Sequence, residues 1–158
     1  AVLSGVIGPY FTATDIREAG LGPFPTRHHW SQYDNPIARE ANQVHRRTYR
    51  TNTDYFTSGM FTAASAIVQA VEESGSADPM DIVDELTGMT VEDTLKGEGA
   101  YEFQAYNNQA RSPMTVADIV PADGTQYWDA PVKPGEPLVT YSKDETTLSE
   151  RAVDCSLN

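Results

Sequence analysis

The sequence predicts an α/β fold, and three observations carry that reading. An apolar, β-branched run opens the chain at Ala1–Gly8. Helical periods follow, two of them opened by a capping side chain directly before proline, at Asn35-Pro36 and Asp78-Pro79. From Gly97 onward, short aromatic and β-branched runs alternate with glycine and polar turns.

Each element has its own local reason. Ala1–Gly8, bounded by Gly8-Pro9, reads as a buried strand. Tyr10–Ala19 reads as a loop and a short helix, capped by Thr12 or Thr14 and stopped by Gly20. Leu21–Trp30 is extended, with Pro25 suited to an edge or to a strand's first residue. Asp34-Asn35-Pro36 starts a helix that runs through Tyr49. Ile37, Ala41, Val44 and Thr48 share one face of it, and Arg39, Arg46, Arg47 and Arg50 lie off that face.

Thr53–Gly75 has the longest clean helical period, and the rest of the chain is organised around it. Phe56, Met60, Ala63, Ala64, Ile67 and Val71 recur at three- and four-residue steps and predict its core face. Phe61 and Val68 widen that face, so the helix is expected to be buried on more than one side. Thr53 or Asp54 caps its start and Gly75 ends it. Ser58, Gly59, Ala63, Ala64, Ala66 and Ala70 are small enough to let another element approach closely.

Ser76-Ala77-Asp78-Pro79 opens a short helix with Met80, Ile82, Val83 and Leu86 as its expected buried side and Gly88 as its stop. Gly97, Gly99, Tyr101 and Phe103 read as a turn into a short strand, Asn107-Asn108 as a polar turn, and Met114–Val120 as a second strand. Asp123-Gly124 is a strong turn signal, and Tyr127-Trp128 begins a third short strand. Pro131, Pro134 and Pro137 predict a surface loop without regular structure, with a last strand at Leu138–Tyr141. From Ser142 the chain is polar and expected to be loosely attached, and no internal repeat is visible.

Composition bounds the function. A chain of 158 residues is one domain's worth, and 39% apolar residues suffice for a core. The formal charge is −12, from 23 acidic and 11 basic residues, which opposes nucleic acid and anionic membrane surfaces as partners. Only Lys96, Lys133 and Lys143 are lysines, an acidic and lysine-poor pattern that resembles proteins adapted to high salt. There is no apolar run long enough to cross a membrane as a helix and no signal peptide. The chain begins at Ala1 rather than Met, as a processed or truncated piece would.

Catalytic and metal chemistry find no support. His28-His29 with Asp15, Asp34 or His45 lacks a chelating spacing, and adjacent residues on a strand face opposite ways, so a surface or partly packed pair is expected. Cys155 sits in the terminal tail without a histidine nearby and reads as an inert thiol. No GxSxG elbow or phosphate loop is present, and paired carboxylates such as Glu72-Glu73, Asp84-Glu85 and Glu92-Asp93 read as solvated faces. Binding is better served. Tyr10-Phe11, Trp30, Tyr33, Tyr55-Phe56 and Phe61 lie at the ends of elements, where aromatics wall small-molecule pockets or pack hinges.

The succession of elements carries a resemblance. A strand, the helix opened by Asp34-Asn35-Pro36, and the run Phe61, Ala63, Ala64, Ala70-Val71-Glu72, Gly75–Pro79 come first. The Gly97–Phe103 turn-strand, Asn108, Pro113 and the strand Met114–Val120 follow. From about Gly5 to Val120 this order resembles the C-terminal part of the type I periplasmic binding proteins, in the branch of Leu/Ile/Val- and amide-binding receptors of ABC importers. Members of that family have two lobes and about twice this length, so the N-terminal half is missing from the pattern. The polar turn Lys96-Gly97-Glu98-Gly99 also departs from it.

The resemblance implies a three-layer α/β portion of a two-lobed, periplasmic-binding-protein-like I fold. Residues 1–30 would end the second lobe, 31–96 would be helices of the first, 97–141 would cross back into strands of the second, and 142–158 would form a polar tail. It implies no enzyme, no cofactor and no metal. It implies an extracellular or cell-surface anchored receptor, the equivalent of a periplasmic one, that hands a small amino acid or amide to an ABC permease in the membrane. Leucine-like amino acids, amides and urea all fit. By position, Tyr10, Tyr55 and Phe56 would touch ligand, and Trp30, Tyr33, Gly97 and Gly99 would sit at hinges between lobes. Alone, the chain would self-associate or need its N-terminal half, because its helices lack the sheet they should cover. The same fold also implies a ligand-sensing domain of a signalling receptor as an alternative; a hydrolase fragment would need a Ser/His/Asp geometry that the sequence does not offer.

Overall fold

The computed structural model describes residues 22–26, 28–121 and 132–152. The strand at Ala1–Gly8, the helix within Tyr10–Ala19, the turn at Asp123-Gly124, the strand at Tyr127-Trp128 and Cys155 lie outside the described residues. The elements run β1 (Gly22–Thr26), α1 (Pro36–Tyr49), α2 (Tyr55–Ser74), α3 (Pro79–Leu86), β2 (Thr90–Val91), β3 (Tyr101–Phe103), β4 (Ala110–Arg111), β5 (Met114–Pro121), β6 (Val132–Tyr141) and a 3-10 turn at Glu150–Ala152.

Two antiparallel sheets form among the described residues, in strand orders β1-β5-β6 and β2-β3-β4. Among the described residues β1 is an edge strand, and its Pro25 lies opposite Val116, as proline's preference for edges allows. The expected proline loop is instead strand β6, which pairs Pro137 with Ala117 and Pro134 with Ile119. The correction has a physical reason: among the described residues β6 is also an edge strand, and register shifts between Val116 and Ile119 accommodate its prolines.

The three α-helices among the described residues start as their sequences dictate. Asn35 Oδ1 accepts from Ala38 N at 2.9 Å, Asp54 Oδ1 from Thr57 N at 2.7 Å, and Asp78 Oδ1 from Met80 N at 2.9 Å. Arg46 and Arg47 occupy the last turn of α1, where the helix dipole favours positive charge.

The core face of α2 is not the one expected. Its buried residues are Ser58, Thr62, Ala66 and Ala70, a stripe of small side chains at four-residue steps. Ala66 and Ala70 meet Met89 and Val91, and Ile82, Leu86, Tyr101 and Phe103 close over them. Small side chains allow β2 and α3 to come close, and the large apolar stripe is left facing outward. Met60 is 72% exposed, Phe56 63% and Ile67 51%, and Ala63 and Ala64 are exposed with them. The same holds on a smaller scale for α3, where Ile82 and Leu86 pack inward but Met80 and Val83 are exposed.

Candidate functional site

Among the described residues, three passages leave or enter the β1-β5-β6 sheet at the end where Thr26 pairs with Thr115 and Met114 with Tyr141: Thr26 to Pro36 from β1 into α1, Ser112-Pro113 from β4 into β5, and the segment after Tyr141. The candidate site is built where these passages meet the start of α2 and the turn between β2 and β3.

In the first passage the two histidines leave the strand and turn inward, so the pair expected at the surface or partly packed is instead buried. Asn42 Oδ1 accepts from Thr53 Oγ1 at 2.7 Å and from Thr53 N at 3.2 Å. The Thr53 hydroxyl, having spent its proton, accepts from His28 Nε2 at 3.4 Å. That direction leaves His28 Nδ1 as a bare, buried acceptor without a partner. Burial, with His29 and Lys96 nearby, lowers the His28 pKa to about 3 against the pull of Asp54. His29 Nδ1 accepts from the Ser31 backbone N–H at 3.3 Å and from its hydroxyl at 2.7 Å, and burial lowers its pKa to about 4. Both rings are therefore neutral near pH 7.

The candidate hinge aromatics stand beside these rings. Tyr33 stacks on His28 with centroids 5.6 Å apart. Burial and the neighbouring Tyr101 push its hydroxyl up to about 12. Trp30 lies under the Arg46 guanidinium at 4.9 Å and its carbonyl accepts from Asn42 Nδ2 at 3.4 Å. Gly97 and Gly99 lie in the turn between β2 and β3 with φ of 117° and 65°, conformations that favour glycine.

Of the candidate ligand residues, Tyr10 lies outside the described residues. Tyr55 and Phe56 meet edge to face with centroids 5.3 Å apart, then diverge. Tyr55 walls a cavity of about 570 Å³ together with Lys96, Tyr101, Arg111, Ser112 and Pro113, whereas Phe56 points to the exposed stripe. Sequence reasoning missed Lys96, whose ammonium lies 5.1 Å from the Tyr101 ring centre and donates to Ser112 Oγ and the Pro113 carbonyl, both at 3.0 Å. Its one signal was scarcity, as one of three lysines. Among the described residues no three His, Cys, Asp or Glu side chains gather as metal ligands, and no helix is long and apolar enough to cross a membrane.

Residues 5–125 match the family model described as periplasmic binding protein. Among solved structures, the chain is similar to an ABC-type branched-chain amino acid transporter protein from Rhodopseudomonas palustris, with TM-score 0.72 and 24% identity over 90% of this chain and 36% of that one. A periplasmic binding protein from Burkholderia mallei gives TM-score 0.72 and 15% identity over 91% of this chain and 37% of its own. The leucine-, isoleucine-, valine-, threonine- and alanine-binding protein of Brucella ovis, in its closed conformation, gives 0.70 and 15% over 92% and 37%. No curated protein sequence matches. The chain thus spans little more than a third of these solved relatives, less than the half expected from the resemblance.

Proposed function

The chain belongs to the periplasmic binding protein family, and from that premise we propose that it forms part of a solute receptor of an ABC importer. The receptor captures a small amino acid or amide between two lobes of a three-layer α/β fold and presents it to a membrane permease outside the cytoplasm. Capture needs no chemistry and no cofactor. The observation that carries this reading is the family match over residues 5–125, and the amino acid transport and binding roles of the solved relatives support the solute class.

Residues 1–30 and most of 97–141 belong to one lobe in this reading, and 31–96 to the other. Tyr55 presses on the ligand's apolar side from the cavity wall, with Tyr10 as its companion, whereas Phe56 faces the exposed stripe. Trp30, Tyr33, Gly97 and Gly99 flank the hinge. The exposed stripe Phe56, Met60, Ile67 on α2 covers the remainder of its lobe in a complete receptor, and drives self-association of this chain alone. A charge of −12 with three lysines suits work in high salt.

Small-angle scattering of a complete receptor, at the length of its relatives, tests the capture step. Addition of a bound amino acid or amide should reduce the radius of gyration as the lobes close. An unchanged radius with saturating ligand would remove the closure mechanism.

A further inference from the structure

We infer that Lys96 is a positioning residue that couples the three passages at this end of the β1-β5-β6 sheet, so that they swing as one unit when the lobes move. The inference rests on the hinge reading above and adds to it the residue that makes three strands of chain one hinge.

The loop Thr94–Gly99 touches every passage. At the first, Asn35 Nδ2 donates to the Leu95 carbonyl at 3.0 Å. At the second, Lys96 Nζ donates to both Ser112 Oγ and the Pro113 carbonyl. At the third, Lys143 Nζ donates to the Gly99 carbonyl at 3.3 Å, and Thr146 Oγ1 reaches back to the Ser112 carbonyl at 3.1 Å. Two of the chain's three lysines are committed to this one loop.

A coupler must itself be stiff, and the loop is. Thr94 Oγ1 donates to the Gly97 carbonyl at 2.6 Å, Gly97 N donates to the Thr94 carbonyl at 3.1 Å, and Gly99 N returns to Val91 at 3.2 Å. Thr94 and Leu95 are fully buried beneath it. Lys96 is the only described residue whose side chain spans from this loop to the second passage by two charge-assisted bonds. Its ammonium also lies over the ring of Tyr101, which neighbours Tyr33 of the first passage.

The test is amide hydrogen exchange in a complete receptor without ligand, comparing the unaltered protein with Lys96→Met. The variant keeps the apolar stem and loses both bonds to the second passage. Amides in all three passages should exchange about tenfold faster: Gln32 in the first, with Ala38 at the capped helix start that follows it, Ser112 in the second, Thr146 in the third. Ala66 and Ala70 in α2 should change much less. Acceleration confined to Ser112 would overturn the coupling, as would a uniform rise that includes Ala66 and Ala70. Ser112→Ala removes one acceptor and should give the same pattern at smaller size, so the test survives a Lys96→Met variant that does not fold. No rise at Gln32 and Ala38 in Ser112→Ala would also overturn the proposal. Exchange is read without solute, so a receptor that binds no amino acid or amide sinks the transport reading without touching this result.

Discussion

Asn35 joins two parts of the chain that lie sixty residues apart: its Nδ2 donates to the Leu95 carbonyl at 3.0 Å while its Oδ1 caps α1 at Ala38 N. One side chain thus sets where the helix begins and where the loop after β2 sits. Asn35→Ala should cost about 1–3 kcal/mol by chemical denaturation, from a lost cap and a carbonyl left short of its donor. Asn35→Asp keeps the cap and loses the bridge, so it should fall between the two. Equal loss in both variants would mean the cap contributes nothing.

Acid should destabilise the fold earlier than carboxylates alone would. His28 and His29 have folded pKa values of about 3 and about 4, below their ordinary 6.5. Below pH 6.5 the unfolded chain therefore binds protons that the folded chain refuses. Stability is complete above 6.5 and falls as pH drops towards 4, by up to about 1.4 kcal/mol per pH unit for each ring. Melting temperature against pH checks this, and His28→Gln should flatten the slope between pH 6.5 and 4. An unchanged slope in His28→Gln would show that its burial is not what refuses the proton.

Helix α2 should tolerate change on the face that looks most like a core. Ala66→Leu or Ala70→Leu places extra carbons against Met89 and Val91 and should cost about 1–3 kcal/mol. Met60→Ser and Ile67→Ser together should leave the melting temperature of this chain within a few degrees and lower its self-association by light scattering. A chain that is already a monodisperse monomer would contradict the proposed role of the stripe.

The segment after β6 is held by charge. Arg111 pairs with Glu102 and Asp144 at 2.5 and 2.6 Å, and Lys143 pairs with Glu102 at 2.8 Å. The bond from Lys143, then that from Arg111, outweighs desolvation and holds the Glu102 carboxyl below its usual range. That contribution is present above the ordinary carboxylate range and is lost as pH falls through the lowered folded value. Glu102→Gln should cost about 1 kcal/mol and speed proteolysis between Ser142 and Ala152. Proteolysis at an unaltered rate would show that the other ties, from Arg111 to Asp144, from Thr146 to the Ser112 carbonyl and from the Tyr106 hydroxyl to the Leu148 carbonyl, hold the segment without Glu102.

Sequence periodicity located the helices because caps and prolines are local signals. Asn35-Pro36 and Asp78-Pro79 mark starts that the structure keeps. The buried face of α2 was misread because side-chain size outranked spacing: Ser58, Thr62, Ala66 and Ala70 obey a four-residue step as well as Phe56, Met60 and Ile67 do. The smaller stripe went inside because close backbone approach needed it. The end of β6 at Leu138–Tyr141 was expected, but its proline-bearing start was misread as loop, because proline opposes a central strand but not an edge, and edges are a property of the assembled sheet. Tyr55 was visible as an aromatic at an element's start. Lys96 was not, because its acceptors lie 16 and 17 residues onward and only the fold brings them together.

The most direct test of the central claim is calorimetric titration of a complete receptor, in high salt, with branched-chain amino acids, amides and urea. Saturable binding to one class, weakened at least tenfold by Tyr55→Ala, is the predicted result. A folded receptor that binds none of the panel would contradict it.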